Sequence, residues 1–122
     1  MQIQSGQIEE YDGDLDFRSS LIVSLGNLKH VTGEFILDYA EKLKSLGKLE
    51  YVGGCLYLDN TQIETLGNVE FIGGNFTALN TLLKNLGKIK KIEGDIGLTN
   101  TPNLSWGTIP RHLWSKISGV SF

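Results

Sequence analysis

Cysteine, proline, histidine and long apolar runs are what this 122-residue chain has least of. Cys55 is its one cysteine, so no intrachain disulfide or cysteine-built metal site can form, and a reducing, cytosolic setting is compatible with that. His30 and His112 are the two histidines, far apart and without a metal-ligand spacing such as HExxH around them. No stretch approaches the ~20 apolar residues of a membrane span. Met1 is followed by polar residues rather than a basic and then apolar leader, so a cytoplasmic protein with no membrane partner is expected. Positive charge is short too. With 11 Lys and Arg against 14 Asp and Glu, the net charge is −3. Non-specific affinity for nucleic acid comes mainly from Lys and Arg on phosphates, so nucleic acid is not expected as a direct ligand.

Glycine, in contrast, is abundant: 15 residues of 122, where the usual share is roughly 7%. With two prolines and no glycine at every third residue, collagen is excluded, and the aliphatic content is too high for a disordered chain. The glycines are periodic on a longer scale. Leu25-Gly26, Leu46-Gly47, Leu66-Gly67, Leu86-Gly87 and Trp106-Gly107 recur at spacings of 21, 20, 20 and 20. A second column runs through Gly13, Gly33, Gly54, Gly74 and Gly94, and the one extra residue falls near Tyr39 to Glu41. A fixed period of this length marks a solenoid.

The apolar columns keep the same period. An alternating pair opens each unit: Leu15 and Phe17, Phe35 and Leu37, Leu56 and Leu58, Phe76 and Ala78, Ile96 and Leu98. So brief an alternation predicts a short strand with one face buried. Ile22, Leu43, Ile63 and Leu83 form the next column, followed by the leucines of the Leu-Gly pairs. Two further columns are Leu28, Leu49, Val69, Ile89, Ile109 and Val31, Val52, Ile72, Ile92. One unit cannot bury its own apolar side chains, but stacked units align them into a continuous core. Asn60-Thr61, Asn80-Thr81 and Asn100-Thr101 follow the strand, where short polar side chains bond the backbone of a bend and stack as a ladder. The glycines suit positive φ or close contact between coils. The fold expected is a mainly β repeat solenoid of about five coils of 20–21 residues, with parallel strands, turns and little helix.

The clearest unit runs Val52-Gly53-Gly54-Cys55-Leu56-Tyr57-Leu58-Asp59-Asn60-Thr61-Gln62-Ile63-Glu64-Thr65-Leu66. It resembles the leucine-rich repeat family, L-x-x-L-x-L-x-x-N-x-L-x-x-L, with Thr61 where Asn is usual and Asn60 one place earlier. Those departures, with the Gly-Gly pair, are similar to the short ~20-residue repeat variety of bacterial and tailed-phage proteins. The resemblance covers roughly residues 13 to 112. It implies the solenoid fold and a role in binding, without naming a partner.

The chain divides on this reading into one domain: an N-terminal cap over 1–12, repeats over 13–109 and a C-terminal cap over 110–122. Met1 to Tyr11, with Ile3 and Ile8, are expected to add a strand over the first coil. At the other end Asn103 interrupts an apolar column, Trp106 replaces leucine and His112 falls where Val or Ile stood. Leu113, Trp114 and Ile117 are then expected to cover the core from a helical turn.

No catalytic, cofactor or metal constellation emerges, so no enzyme and no cofactor are expected. Gly47-Lys48 and Gly87-Lys88 lack the following Ser or Thr of a phosphate loop. Asn75-Phe76-Thr77 and Asn103-Leu104-Ser105 are sequons that mean little without secretion. Asp14 and Asp16 project from a strand face rather than into a cleft.

That strand face is the candidate site. If the alternating apolar residues point inward, those between and beside them point outward. Coil by coil these are Asp14, Asp16, Arg18; Glu34, Ile36, Asp38; Cys55, Tyr57, Asp59; Asn75, Thr77, Leu79; Asp95, Gly97, Thr99. Six carboxylates stand against one arginine around Ile36, Tyr57 and Leu79, while Lys44, Lys48, Lys84, Lys88, Lys90 and Lys91 lie in the later half of the repeat. Such a surface suits a protein partner with a basic surface, steered by charge and anchored on tyrosine; it also suits a solvated sheet face. The partner-binding candidates are Asp14, Asp16, Glu34, Ile36, Asp38, Tyr57, Asp59 and Leu79. The column His30, Tyr51, Phe71, Lys91 either packs into the back of the coil or offers a second surface. Two functions remain: a protein-binding module, in its sharpest form a small phage-type inhibitor of a host protein, and a self-assembling homo-oligomer using Tyr51 and Phe71 or its open ends.

Overall fold

The computed structural model describes residues 8–118. It is a solenoid of stacked coils, each contributing one short strand to each of two parallel sheets. Sheet A is ordered β1-β3-β5-β7-β9, from β1 (Glu10–Tyr11), β3 (His30–Val31), β5 (Tyr51–Val52), β7 (Phe71–Ile72) and β9 (Lys91–Ile92). Sheet B is ordered β11-β10-β8-β6-β4-β2, from β2 (Leu15–Asp16), β4 (Phe35–Ile36), β6 (Leu56–Tyr57), β8 (Phe76–Thr77), β10 (Ile96–Gly97) and β11 (Ile117–Ser118). The register repeats from coil to coil, so that Phe35 faces Leu56 and Leu56 faces Phe76, while Val31 faces Val52 and Val52 faces Ile72. Sheet B was the strand expected from the alternating pairs. Sheet A gives each coil a second strand, two residues long, with one buried residue in each of β3, β5, β7 and β9 and the half-buried Tyr11 in β1.

The apolar columns meet between the sheets. Phe35, Leu37, Leu56, Leu58, Phe76, Ala78, Ile96 and Leu98 are fully buried from sheet B's side, opposite Val31, Val52, Ile72 and Ile92. Each buried leucine is worth about 2–5 kcal/mol on truncation to alanine, because no single coil can close over the hole. Phe17 is half-buried, its ring edge-on to Phe35 at 6.2 Å.

Three corners turn the coil, each by its own physics. At the Leu-Gly corner Gly26, Gly47, Gly67 and Gly87 all have φ near 58°. Their N–H groups donate to Ser24 Oγ, Ser45 Oγ, Thr65 Oγ1 and Asn85 Oδ1 two residues earlier, at 2.8–3.0 Å. At the Asn-Thr corner Asn60, Asn80 and Asn100 take the left-handed conformation. Asn80 Nδ2 donates to Asn60 Oδ1 at 3.2 Å and Asn100 Nδ2 to Asn80 Oδ1 at 2.7 Å, a ladder along the solenoid. Beneath it Thr61, Thr81 and Thr101 donate their buried hydroxyls to the carbonyls of Leu58, Ala78 and Leu98. The Gly-Gly corner is different. Gly73 has ordinary φ, but a Cβ there would lie 2.1 Å from Gly53 O, so glycine is needed for coil-to-coil approach.

The two ends of the described chain differ. At the C-terminal end β11 adds to β10, and a 3₁₀ turn over Arg111–Lys116 buries Leu113 completely. His112 Nε2 lies 2.8 Å from Lys90 O and Lys116 Nζ donates to Glu93 O, so side chains meet carbonyls flanking β9. Leu104 is buried beside Asn103, so the core column shifts by one residue there. Trp106 and Trp114 lie edge to face at 5.1 Å. At the N-terminal end β1 pairs with β3 and Ile8 packs on the core; Ile3 lies outside the described residues.

Candidate functional site

The outward side of sheet B is a ridge with two flanks. Asp16, Ile36, Tyr57, Thr77 and Gly97 lie in register along its centre. Ile36, Tyr57 and Thr77 are half-buried by their neighbours, and the face flattens towards Gly97, which has no side chain. Asp14, Glu34, Cys55, Asn75 and Asp95 form one flank, and Arg18, Asp38, Asp59 and Leu79 the other. The eight candidate residues thus share one side of the molecule, as strand alternation dictates.

The flank side chains also hold coils together. Asp38 Oδ1 accepts the Asp59 N–H and Asp59 Oδ1 accepts the Leu79 N–H, both at 2.9 Å. Across the ridge Asp14 Oδ1 accepts the Glu34 N–H at 2.8 Å, Cys55 Sγ the Asn75 N–H at 3.3 Å and Asn75 Oδ1 the Asp95 N–H at 2.9 Å. Sequence reasoning missed this second task. Its only trace is that short acceptors, Asp, Cys and Asn, recur at those columns. Among the described residues, Glu34 and Asp16 are the two candidate acids whose carboxylates make no hydrogen bond between coils. Asp16 is engaged differently, in a fork to the Arg18 guanidinium with a shortest contact of 2.6 Å.

The electrostatics follow from that stacking. Asp16 is held below the usual carboxylate range by its hydrogen bonds from the Arg18 side chain and backbone. Asp38 is pushed up by burial first and then by the charge of Asp59 one coil on. Tyr57 is pushed up to about 12, first by its hydrogen bond with Cys55, then by burial and the negative groups around it. It therefore stays a neutral phenol at physiological pH. An apolar and phenolic centre inside a rim of carboxylates can receive Lys or Arg side chains on the rim and an apolar anchor at the centre.

Sheet A's outer side carries the other column, and its rings face out rather than into the core. Tyr51 stacks on Phe71 with centroids 4.9 Å apart and planes 12° apart, and His30 meets Tyr51 edge-on at 5.8 Å. The rings lean over Gly53 and Gly73, so they cover backbone that has no side chain. His30 Nδ1 lies 3.1 Å from Glu10 and Nε2 3.7 Å from Glu50. A hollow of about 250 Å³ lined by Glu10, Tyr11, Asp12, His30, Thr32 and Tyr51 opens beside it. Three of the six lysines from the later half of the repeat are answered by neighbouring acids: Lys84 by Glu64, Lys90 by Glu70 and Lys91 by Glu93. Charge segregation read from the sequence is therefore weaker on the lysine side than on the acidic one.

Among the described residues no group of three or more His, Cys, Asp or Glu is arranged to hold a metal ion, and no helix is long and apolar enough to cross a membrane. His30 and Cys55 belong to opposite sheets. What the chain defines, then, is a β-solenoid scaffold with two outward sheet faces. In comparisons with known proteins, no family model, no curated protein and no solved structure matches this chain.

Proposed function

We propose that this chain is a non-enzymatic protein-interaction module, a short-repeat solenoid of the leucine-rich repeat kind that binds a basic surface of another protein. Its contact residues are Asp14, Asp16, Glu34, Ile36, Asp38, Tyr57, Asp59 and Leu79 on the sheet B face. In its sharpest form it is a phage-type inhibitor that covers a basic groove of a bacterial host protein in the cytoplasm. The observation that carries this reading is Ile36 beside Tyr57 in register, with Glu34 on one flank and Asp38 and Asp59 on the other.

The hydrogen bonds decide which variants test it. Reversal of Asp38 or Asp59 to lysine would remove an acceptor from the next coil and confound binding with folding. Glu34→Lys and Tyr57→Ala avoid that, and Asp59→Asn keeps the acceptor while removing charge. A partner is first captured from a bacterial lysate and then titrated by calorimetry against each variant. We expect at least a tenfold loss for Tyr57→Ala and Glu34→Lys, or about 1.4 kcal/mol. Wild-type affinity in both variants, with fold intact by circular dichroism, would reject the face.

A further inference from the structure

The Asn-Thr corner departs from its own pattern in the first two coils. Tyr39 occupies the left-handed position, φ 61°, that Asn60, Asn80 and Asn100 take later. A tyrosine gains no local hydrogen bond there, and a bulky residue at positive φ is an outlier that marks strain. The coil is also one residue longer here than in the later repeats, with Glu41 and Lys42 between Ala40 and Leu43. Beside it Leu21 and Val23 are 76% and 61% exposed, the most exposed large apolar side chains among the described residues, and Tyr39 is 53% exposed. A notch of about 200 Å³ opens between Leu21 and Tyr39, lined also by Ser19, Ser20, Glu41 and Lys42. Single exposed apolar residues need no explanation, but strain, an added residue and exposed apolar side chains gathered around one notch do.

We propose that this corner is a self-association site, at which two copies of the chain meet about a twofold axis with Leu21 of each against the other's notch. Charge chooses the occupant. Glu41 and Lys42 are adjacent and exposed, and among the described residues neither side chain has an ion-pair partner. A twofold axis sets each Glu41 against the opposite Lys42, satisfying both at once. Asp16 and Arg18 nearby already neutralise one another. A basic partner would gain no steering from so balanced a patch, whereas a second copy meets no repulsion, as it would on the acidic sheet B face. The notch adjoins that face but is lined by none of its eight candidate residues. A contact this small makes the association weak and concentration-dependent.

The test is sedimentation velocity of the full chain from about 10 μM to about 1 mM, a range that spans weak dimerisation. Wild type is expected to dimerise towards the upper end, and Leu21→Asp to weaken that at least tenfold. Tyr39→Asn serves as the second variant because it moves two readouts in opposite directions. It relieves the strained conformation and continues the asparagine ladder, raising Tm by a few degrees, yet it removes a wall of the notch and weakens the dimer. A wild-type chain that stays monomeric throughout would overturn the proposal. So would wild-type dimerisation of folded Leu21→Asp or of Tyr39→Asn.

Discussion

The third to fifth coils and the first two are built on the same apolar columns, but they finish their corners differently. In the later coils Asn60, Asn80 and Asn100 bond one another and Thr61, Thr81 and Thr101 bond the carbonyls beneath them. In the first two the same corner holds Ser19 and Tyr39 at positive φ, buried Ala40 in the threonine column, and exposed Leu21 and Val23. A corner that satisfies its own hydrogen bonds has less left to offer another molecule, although Leu82, in the column of Leu21, is 46% exposed there. A corner that leaves apolar surface and backbone strain exposed has not been closed internally, and that is where a docking surface is to be sought.

The sharpest way to break the regular half is Gly73→Ala. The added Cβ would fall 2.1 Å from Gly53 O and 2.9 Å from Gly53 C, both backbone atoms, so the coils themselves must part. A loss of about 3 kcal/mol or more is expected in urea unfolding. Gly67→Ala is the control. Its Cβ would meet nothing within 4 Å, so only the positive φ of 57° opposes it, at about 1–2 kcal/mol. If the two variants unfolded alike, coil contact would not be what selects glycine at position 73. A smaller effect is expected for Thr81→Val, which keeps the shape but leaves the buried Ala78 carbonyl without its 3.0 Å hydroxyl donor. That costs about 1–2 kcal/mol. A neutral result would mean the threonine column is there for packing alone, as Ala40 already is in the second coil.

The contrast also shows what a repeat sequence makes legible. Inward columns such as Phe35, Leu56 and Phe76 are visible because burial demands the same residue class at every coil. The strands of sheet A were harder to see, since each presents one buried residue, Val31, Val52 or Ile72, and no alternation to count. Tyr51 and Phe71 face outward over Gly53 and Gly73, a position that composition does not distinguish from core. The acidic face was legible in outline from strand alternation. Its second task was not, because Asp38 reaching the Asp59 N–H depends on coil spacing and register rather than on residue type. Tyr39 at positive φ was hidden for the opposite reason: tyrosine has no preference for that conformation, and only alignment with Asn60, Asn80 and Asn100 exposes it.

The finest comparison concerns one charge on the boundary between the two halves. Asp38 lies in the turn just past β4 of the second coil and bonds into the third, and its carboxyl is raised by burial and then by Asp59. The folded chain therefore holds that proton more tightly than the unfolded chain does. The associated stability is fully present below the ordinary carboxylate value of about 3.9 and is lost as pH rises through the raised folded value. At neutral pH the ionised group carries the whole cost. Asp38→Asn keeps an oxygen for the Asp59 N–H and removes the charge, so it should stabilise the protein at pH 7. The gain should be under about 1 kcal/mol, since much of the group faces solvent. It should shrink towards zero by about pH 3, where wild type is protonated as well. Asp16 works in the opposite sense, its stabilisation being lost as pH falls through its lowered value, but it is common to both proteins and cancels in the difference. Urea unfolding of the pair at the two pH values measures this directly, and an equal gain at both would show that charge is not the source. If the same variant also weakens partner binding, Asp38 costs the fold stability while serving the face, and the boundary between a self-satisfied coil and an available one runs through a single carboxylate.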